Sequence, residues 1–205
     1  TRLQHGEHGF TANGRRTDWH RLARWLLRSE HVVVCAYVRQ GAFANRLYPH
    51  TVNTIRMLSM RDPGSGRAFI AAAAFRIGCS RSWPVDNISA GGLVCGIDLS
   101  SGRLRRAATG FFDQGPFRWL DTHPDTGLRL EGLVIEDWGR VCDQIAALAE
   151  KFPGLPYIAW DVALGEHDIT VIEGNDWTDV SLFQIYHPLL LDDRVVAFLR
   201  HHHIL

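Results

Sequence analysis

The segment WDVALGEHDITVIEGND, from Trp160 to Asp176, constrains this chain more than any other stretch. Its halves read as two β-strands around the polar turn GEHD, yet the second strand runs into Glu173, Gly174, Asn175 and Asp176. Side chains alternate along a strand, so Glu173 and Asn175 share a face. Whether Asp161 joins them depends on the turn. A three-residue loop of Glu166, His167 and Asp168 sets Asp161 opposite Glu173; an even loop sends Asp161 to the other face unless a bulge intervenes. In the first register Ala159 and Ala163 flank Asp161 and leave room for a ligand, while Trp160, Val162 and Leu164 face the core. Two carboxylates and an amide oxygen on one face suit a hard divalent cation such as Mg²⁺, which takes few ligands from protein and the rest from water and phosphate. No His or Cys has ligand spacing with these acids, which disfavours zinc. The competing reading makes Glu173 to Asp176 a solvated strand end, with Asp161 satisfied by a neighbouring arginine.

The rest of the chain supplies strands around this hairpin. TVNTIRMLSM and AFIAAAAFRIG flank the turn RDPGSGR and read as a hairpin, and LVCGIDLSSGRLRRA reads as a second. HVVVCAYV is a further expected strand. Asp18 is placed to cap a helix to about Arg28, with Trp19, Leu22, Trp25 and Leu26 on one face, and Asp137 a helix through Lys151. A last helix is expected near Asp192 to Arg200. Thr1 to Arg16, Gln40 to Pro49 and Thr109 to Gly132 read as loop or irregular. Recurrent hairpins with few helices give an α+β class built on an antiparallel sheet with flanking helices.

Composition narrows the function classes. The 22 basic and 22 acidic residues balance, which argues against bulk binding to nucleic acid or an anionic membrane. No apolar run approaches the roughly 18 residues of a membrane span, and no signal peptide is legible. Four dispersed cysteines without a CxxC pair read as reduced thiols of a cytoplasmic protein. Lys151 is the only lysine against 21 arginines, so phosphate chemistry must fall to arginine. The start at Thr1, in a Gly/His-rich stretch, reads as that of a fragment or a processed product.

Other residues invite chemistry. Arg56 lies inside an apolar strand, where its charge must find acceptors: either a local acid or a phosphate. Arg76 ends an alanine-rich strand, and its guanidinium fork suits phosphate geometry; the plainer reading is a surface-end arginine. Asp86 and Asn87 precede Gly91 and Gly92, which serve either a tight turn or a close backbone approach. DTHPDTG is a natural turn, or else a substrate loop carrying His123 and Asp125. His201 to His203 resemble a metal site only superficially.

Asp161, then Glu173 and Asn175 as Glu-x-Asn at a strand end, resembles the magnesium signature of the ATP-grasp fold. TVNTIR, AAFRIG, VDNISAGG, HPDTG and YIAWDVA resemble, in order, motifs of the sugar-transfer-associated ATP-grasp family, and DNISAGG is similar to a segment of the glutamate-ligase branch that follows an arginine, as Arg76 does here. The likeness runs from about His31 to Gln184.

The resemblance implies ATP and Mg²⁺ as cofactors. Asp161, Glu173 and Asn175 would hold the metal. Arg56 and Arg76 would be catalytic, stabilising the transferred phosphoryl group. Arg76 and Asn87 would contact the nucleotide phosphates, and Asn53, Asp86, Gly91, Gly92 and His123 the substrate. HVVVCAYVRQ falls where such proteins carry the hinge strand whose backbone holds adenine, implying a contact near Tyr37; Cys35 stands where many members have an acid, and Ala159 replaces the arginine of an Arg-x-Asp motif. The implied reaction is carboxylate ligation through an acyl-phosphate, acting on saccharides or cell-surface polymers. Its implied partners are a small-molecule or saccharide-linked carboxylate and a nucleophile of the amine kind, and a homo-oligomer is a further expectation. A kinase of the same fold and a truncated, non-catalytic binding module are the alternatives. The implied layout is a lid remnant and hinge strand over residues 1–40 and a metal- and phosphate-binding subdomain over 41–205, the lysine-bearing lid being largely missing from this chain.

Overall fold

The computed structural model describes residues 3–6, 9–12, 15–29, 36–110 and 115–205. The chain divides into two units, Thr1–Val38 and Arg39–Leu205.

In the first unit, β1 (Leu3–Gly6), β2 (Gly9–Ala12) and β3 (Arg15–Thr17) pair antiparallel in that order. This overturns the expectation of loop over Thr1 to Arg16. The strands are three or four residues long and too short to show an apolar alternation; backbone pairing such as Leu3 with Ala12 and Phe10 with Thr17 defines them. Helix α1 (Trp19–Arg28) starts where expected, with the Asp18 carboxylate accepting from the Arg21 amide at 2.8 Å. Of its expected apolar face Leu22 is buried, whereas Trp19 and Trp25 are exposed. The strand expected over HVVVCAYV lies mostly outside the described residues, and residues 36–41 carry neither helix nor strand.

The second unit is a seven-stranded antiparallel sheet with helices on both faces. In chain order it comprises α2 (Ala42–Leu47), β4 (Thr54–Arg61), β5 (Ala68–Ile77), β6 (Leu93–Ile97), β7 (Leu104–Thr109), β8 (Arg118–Leu120), α3 (Trp138–Glu150), β9 (Tyr157–Leu164), β10 (Ile169–Asn175), α4 (Ser181–Gln184) and α5 (Asp193–His201). The sheet order is β10-β9-β4-β5-β6-β7-β8. Both expected hairpins form. Helix α2 was not legible, because its six residues make fewer than two turns and too little of an apolar repeat, and β8 interrupts the stretch read as irregular. Asp137 precedes α3 but does not cap it: its backbone is left-handed (φ 51°) and its side chain makes no capping bond.

Two apolar layers explain the sequence pattern. On one face Ile55, Met57, Phe75, Trp160 and Val162 pack with Leu47 of α2 and Trp138, Val141 and Ile145 of α3. On the other, Leu58, Ala72, Ala74, Val94 and Ala159 pack with Phe183 of α4 and Val195 and Phe198 of α5. A strand covered on both sides has no reason to alternate with polar residues, hence the run AFIAAAAF.

Candidate functional site

Strands β9 and β10 bring Asp161 and Glu173 opposite each other, by a different route from the three-residue loop. Leu164 pairs with Ile169, so the connection is even, and a bulge between Val171 and Glu173 shifts the register by one. Beyond it Glu173 faces Asp161 and Asn175 faces Ala159. A bulge re-aims the side chains that follow it, and here it returns Glu173 and Asn175 to the face of Asp161.

Asp161 is also central to a cluster of ion pairs. Its strand neighbour on β4 is Arg56, which donates from Nε to Oδ1 at 2.7 Å and from Nη2 to Oδ2 at 2.8 Å. Arg76 of β5 donates from Nη1 to Oδ2 at 2.7 Å. Through Nη2 it also reaches Asp86 Oδ1 and Asn87 Oδ1, both at 2.7 Å. The other Asp86 oxygen accepts from the Thr54 amide at 2.9 Å and hydroxyl at 2.6 Å. Burial pushes the Asp161 carboxyl up, but the Arg56 hydrogen bonds and the charges of Arg76 and Arg56 outweigh it, holding the acid below its ordinary range. Arg76 is 92% buried rather than a surface-end residue, and its Nε is buried without a hydrogen-bond partner.

The arginines form the floor of a cleft of about 240 Å³. Asn87, Ile88 and Ser89 line one side, and Asp179, Ser181, Leu182 and Ile185 the other. Asp179, Ser181 and Ser89 were not singled out by sequence; WTDVS after the acidic hairpin was the available signal. A larger hollow, about 690 Å³, lies beside the β6–β7 turn. It contains none of the expected site residues, and its arginines are engaged: Arg105 with Asp98, Arg106 with Asp121, and Arg103 with the Gly132 carbonyl.

The expected substrate residues do not all gather at the cleft. Asn53 is fully buried, its amide donating to Gln40, Ala44 and Tyr48 and its oxygen accepting from Thr51 and Gly78. Both ends of its side chain are engaged within the fold rather than at the cleft. His123, also fully buried, stacks on Tyr48, bonds Gly78 O through Nε2 at 2.8 Å, and accepts from the amides of Asp125 and Thr126 through Nδ1. It is a structural histidine, and Asp125 is spent on Ser80. Asp86 is buried beneath Arg76 and holds that arginine rather than facing a substrate. Gly91 (φ 98°) ends a short 3₁₀ turn, and a Cβ on Gly92 would lie 2.6 Å from the Asp86 carbonyl oxygen and 2.9 Å from that of Asn87. The close approach these glycines permit is therefore of the loop to itself. Tyr37 is 46% exposed in the first unit.

An antiparallel sheet clad by helices, with an acid–acid–amide ribbon beside a pair of arginines, defines a nucleotide-dependent ligase type of fold. The chain belongs to the sugar-transfer-associated ATP-grasp family, whose model matches residues 24–197. No curated protein and no solved structure matches it.

Proteins of this family generally use ATP and Mg²⁺. Glu173 accepts a 3.3 Å bond from the Asn175 amide and interacts with the Asp161 carboxyl and the Arg56 charge, and the Asn175 oxygen accepts no bond among the described residues. Asp161 accepts three arginine N–H groups, leaving one of about four lone-pair positions, on Oδ1. Counted formally, Arg56 and Arg76 face Asp161, Asp86, Glu173 and Asp179, an excess of two negative charges. One divalent cation would balance it, and the donors are hard oxygens, so the site fits Mg²⁺. Among the described residues no group of three or more His, Cys, Asp or Glu could hold a metal; the fit here depends on the amide as third ligand. No helix of the described residues is long and apolar enough to cross a membrane.

Proposed function

We propose that this chain carries the metal- and phosphate-binding part of an ATP- and Mg²⁺-dependent carboxylate ligase that modifies saccharides or cell-surface polymers. The observation that carries this reading is the placement of Glu173 across from an Asp161 already held by two arginines at the floor of a cleft.

In this reading Glu173, Asn175 and the open position on Asp161 hold Mg²⁺, which when bound neutralises phosphate charge and orients the nucleotide. The substrate carboxylate attacks the γ-phosphorus, and ADP leaves. The nucleophile, a neutral amine, then attacks the acyl carbon, the C–O bond to phosphate breaks, and the departing phosphate takes the proton lost from nitrogen. Arg56 acts on the phosphoryl group in transfer: its Nη1 makes no hydrogen bond among the described residues, and its side chain borders the cleft. Arg76 is fixed by Asp86, Asn87 and Asp161, so it contributes a positioned charge with little reorganisation. Asn87 borders the same cleft, and with its Oδ1 bonded to Arg76 its amide nitrogen is the group left to donate to an oxyanion.

Titration of the protein with ADP tests the reading. Binding should require Mg²⁺ and weaken at least tenfold in Glu173→Ala. Equal affinity with and without Mg²⁺ contradicts it. One observation favours a non-catalytic module instead, namely that Asp161 is already saturated on Oδ2; that reading expects ADP binding indifferent to the metal.

A further inference from the structure

The cleft above Arg56 and Arg76 presents three kinds of surface within about 240 Å³. The arginines offer donors on its floor. Ile88, Leu182 and Ile185 give it an apolar wall. Asp179 supplies a carboxylate that no arginine, lysine or histidine neutralises among the described residues. That carboxylate is not adrift: Oδ1 accepts from the Ser181 amide at 2.8 Å and from its hydroxyl at 2.6 Å. Oδ2 makes no hydrogen bond among the described residues, so one carboxylate oxygen of a residue bordering the cleft is open to a ligand.

A ligand matching all three surfaces carries a carboxylate, an ammonium group and a small apolar substituent. Asp179 is exposed, so water can meet its Oδ2; an ammonium group exchanges that water for a charge-assisted hydrogen bond, which a ligand without one does not gain. A plain organic acid would satisfy the arginines and leave Asp179 unanswered. A saccharide would leave the apolar wall without a partner.

We infer that the acid bound in this cleft is a free amino acid with a small apolar side chain, whose ammonium group is held by Asp179 and whose carboxylate is held by the Arg56–Arg76 pair. As an assignment of the acid that is activated, this rests on the ligase reading. As a binding site it stands on the cleft alone. Asp179 is then the residue that separates amino acids from other carboxylates, and Ser181 is a positioning residue acting through it.

The test is ligand-observed NMR on the full chain with Mg²⁺ and ADP present, comparing L-alanine with propionate, which lacks only the ammonium group, and with alaninamide, which lacks the carboxylate. Alanine should bind at least about tenfold more tightly than either, as expected for one charge-assisted contact. Asp179→Asn should bring alanine down to the level of propionate without weakening propionate. Equal binding of alanine and propionate by the wild-type protein overturns the assignment without recourse to a variant, and so does an alanine preference that survives in a folded Asp179→Asn. Absence of alanine binding overturns it too. In that case a parallel titration with Mg²⁺ and ADP separates the outcomes: if the nucleotide binds, the ligase reading stands and the amino acid assignment falls; if it does not, both fall.

Discussion

Glu173 stands directly across the β9–β10 ribbon from Asp161, and it does so only because a bulge after Val171 corrects an even turn. The two acids meet different fates. Asp161 is buried and held by two arginines, whereas Glu173 is exposed and forms no ion pair with an arginine within bonding distance among the described residues. One therefore anchors the site while the other stays open to a ligand.

Asp86 is the base of this arrangement. Asp86→Ala would strip Arg76 of an acceptor, and leave the Thr54 amide and hydroxyl without theirs. Removing one partner of a buried ion pair costs about 3 kcal/mol or more. Urea unfolding should show a loss of that order, whereas a variant within about 0.5 kcal/mol of wild type would mean that Asp86 is incidental.

Acid stability should depend on Asp161. Its carboxyl titrates below the ordinary range when folded. A depressed acid contributes stability that is present above its unfolded value, about 3.9, and lost as pH falls through the lower folded value. Unfolding followed against pH should show this acid limb in wild type and a flatter one in Asp161→Asn, which will be less stable at neutral pH. An unchanged acid limb would contradict the ion-pair cluster.

His123 should remain neutral in mildly acidic solution. Burial lowers its pKa, outweighing the Gly78 hydrogen bond and the charge of Asp125. Its stabilising effect is complete above the unfolded value of about 6.5 and declines as pH falls below it. At about pH 6.5, the unfolded value, long-range nitrogen–proton NMR should find most rings neutral with the proton on Nε2, facing the Gly78 carbonyl. An imidazolium there would remove its structural role.

Gly92→Ala should disturb the loop that holds Arg76, since the added methyl would lie 2.6 Å from the Asp86 carbonyl oxygen. Overpacking of this kind costs about 1–3 kcal/mol. The expected signature is lower stability together with weaker nucleotide binding; a neutral effect on both would show that the loop yields freely.

Period-2 patterning made the hairpins and the shared face of Glu173 and Asn175 legible, because alternation is written in neighbouring residues. The bulge was not, since an extra residue at Ile172 looks like any other apolar position in the strand. Asn53 and His123 misled for a related reason. Both are polar residues in motif-like surroundings, but they lie in a knot around Tyr48 and Gly78 where every donor and acceptor is used internally. Which face of the sheet a loop residue reaches depends on contacts distant in sequence. Asp179 was missed because its significance comes from the cleft it borders, formed with a loop some ninety residues earlier.

The ribbon as a metal site is tested most directly by electron paramagnetic resonance of Mn²⁺ titrated into the protein with ADP, Mn²⁺ standing in for Mg²⁺. One bound Mn²⁺ per chain is predicted for wild type, lost in Glu173→Ala and in Asn175→Leu while the fold is retained. Unaltered Mn²⁺ binding in both variants, or none in wild type, would contradict the assignment of Asp161, Glu173 and Asn175.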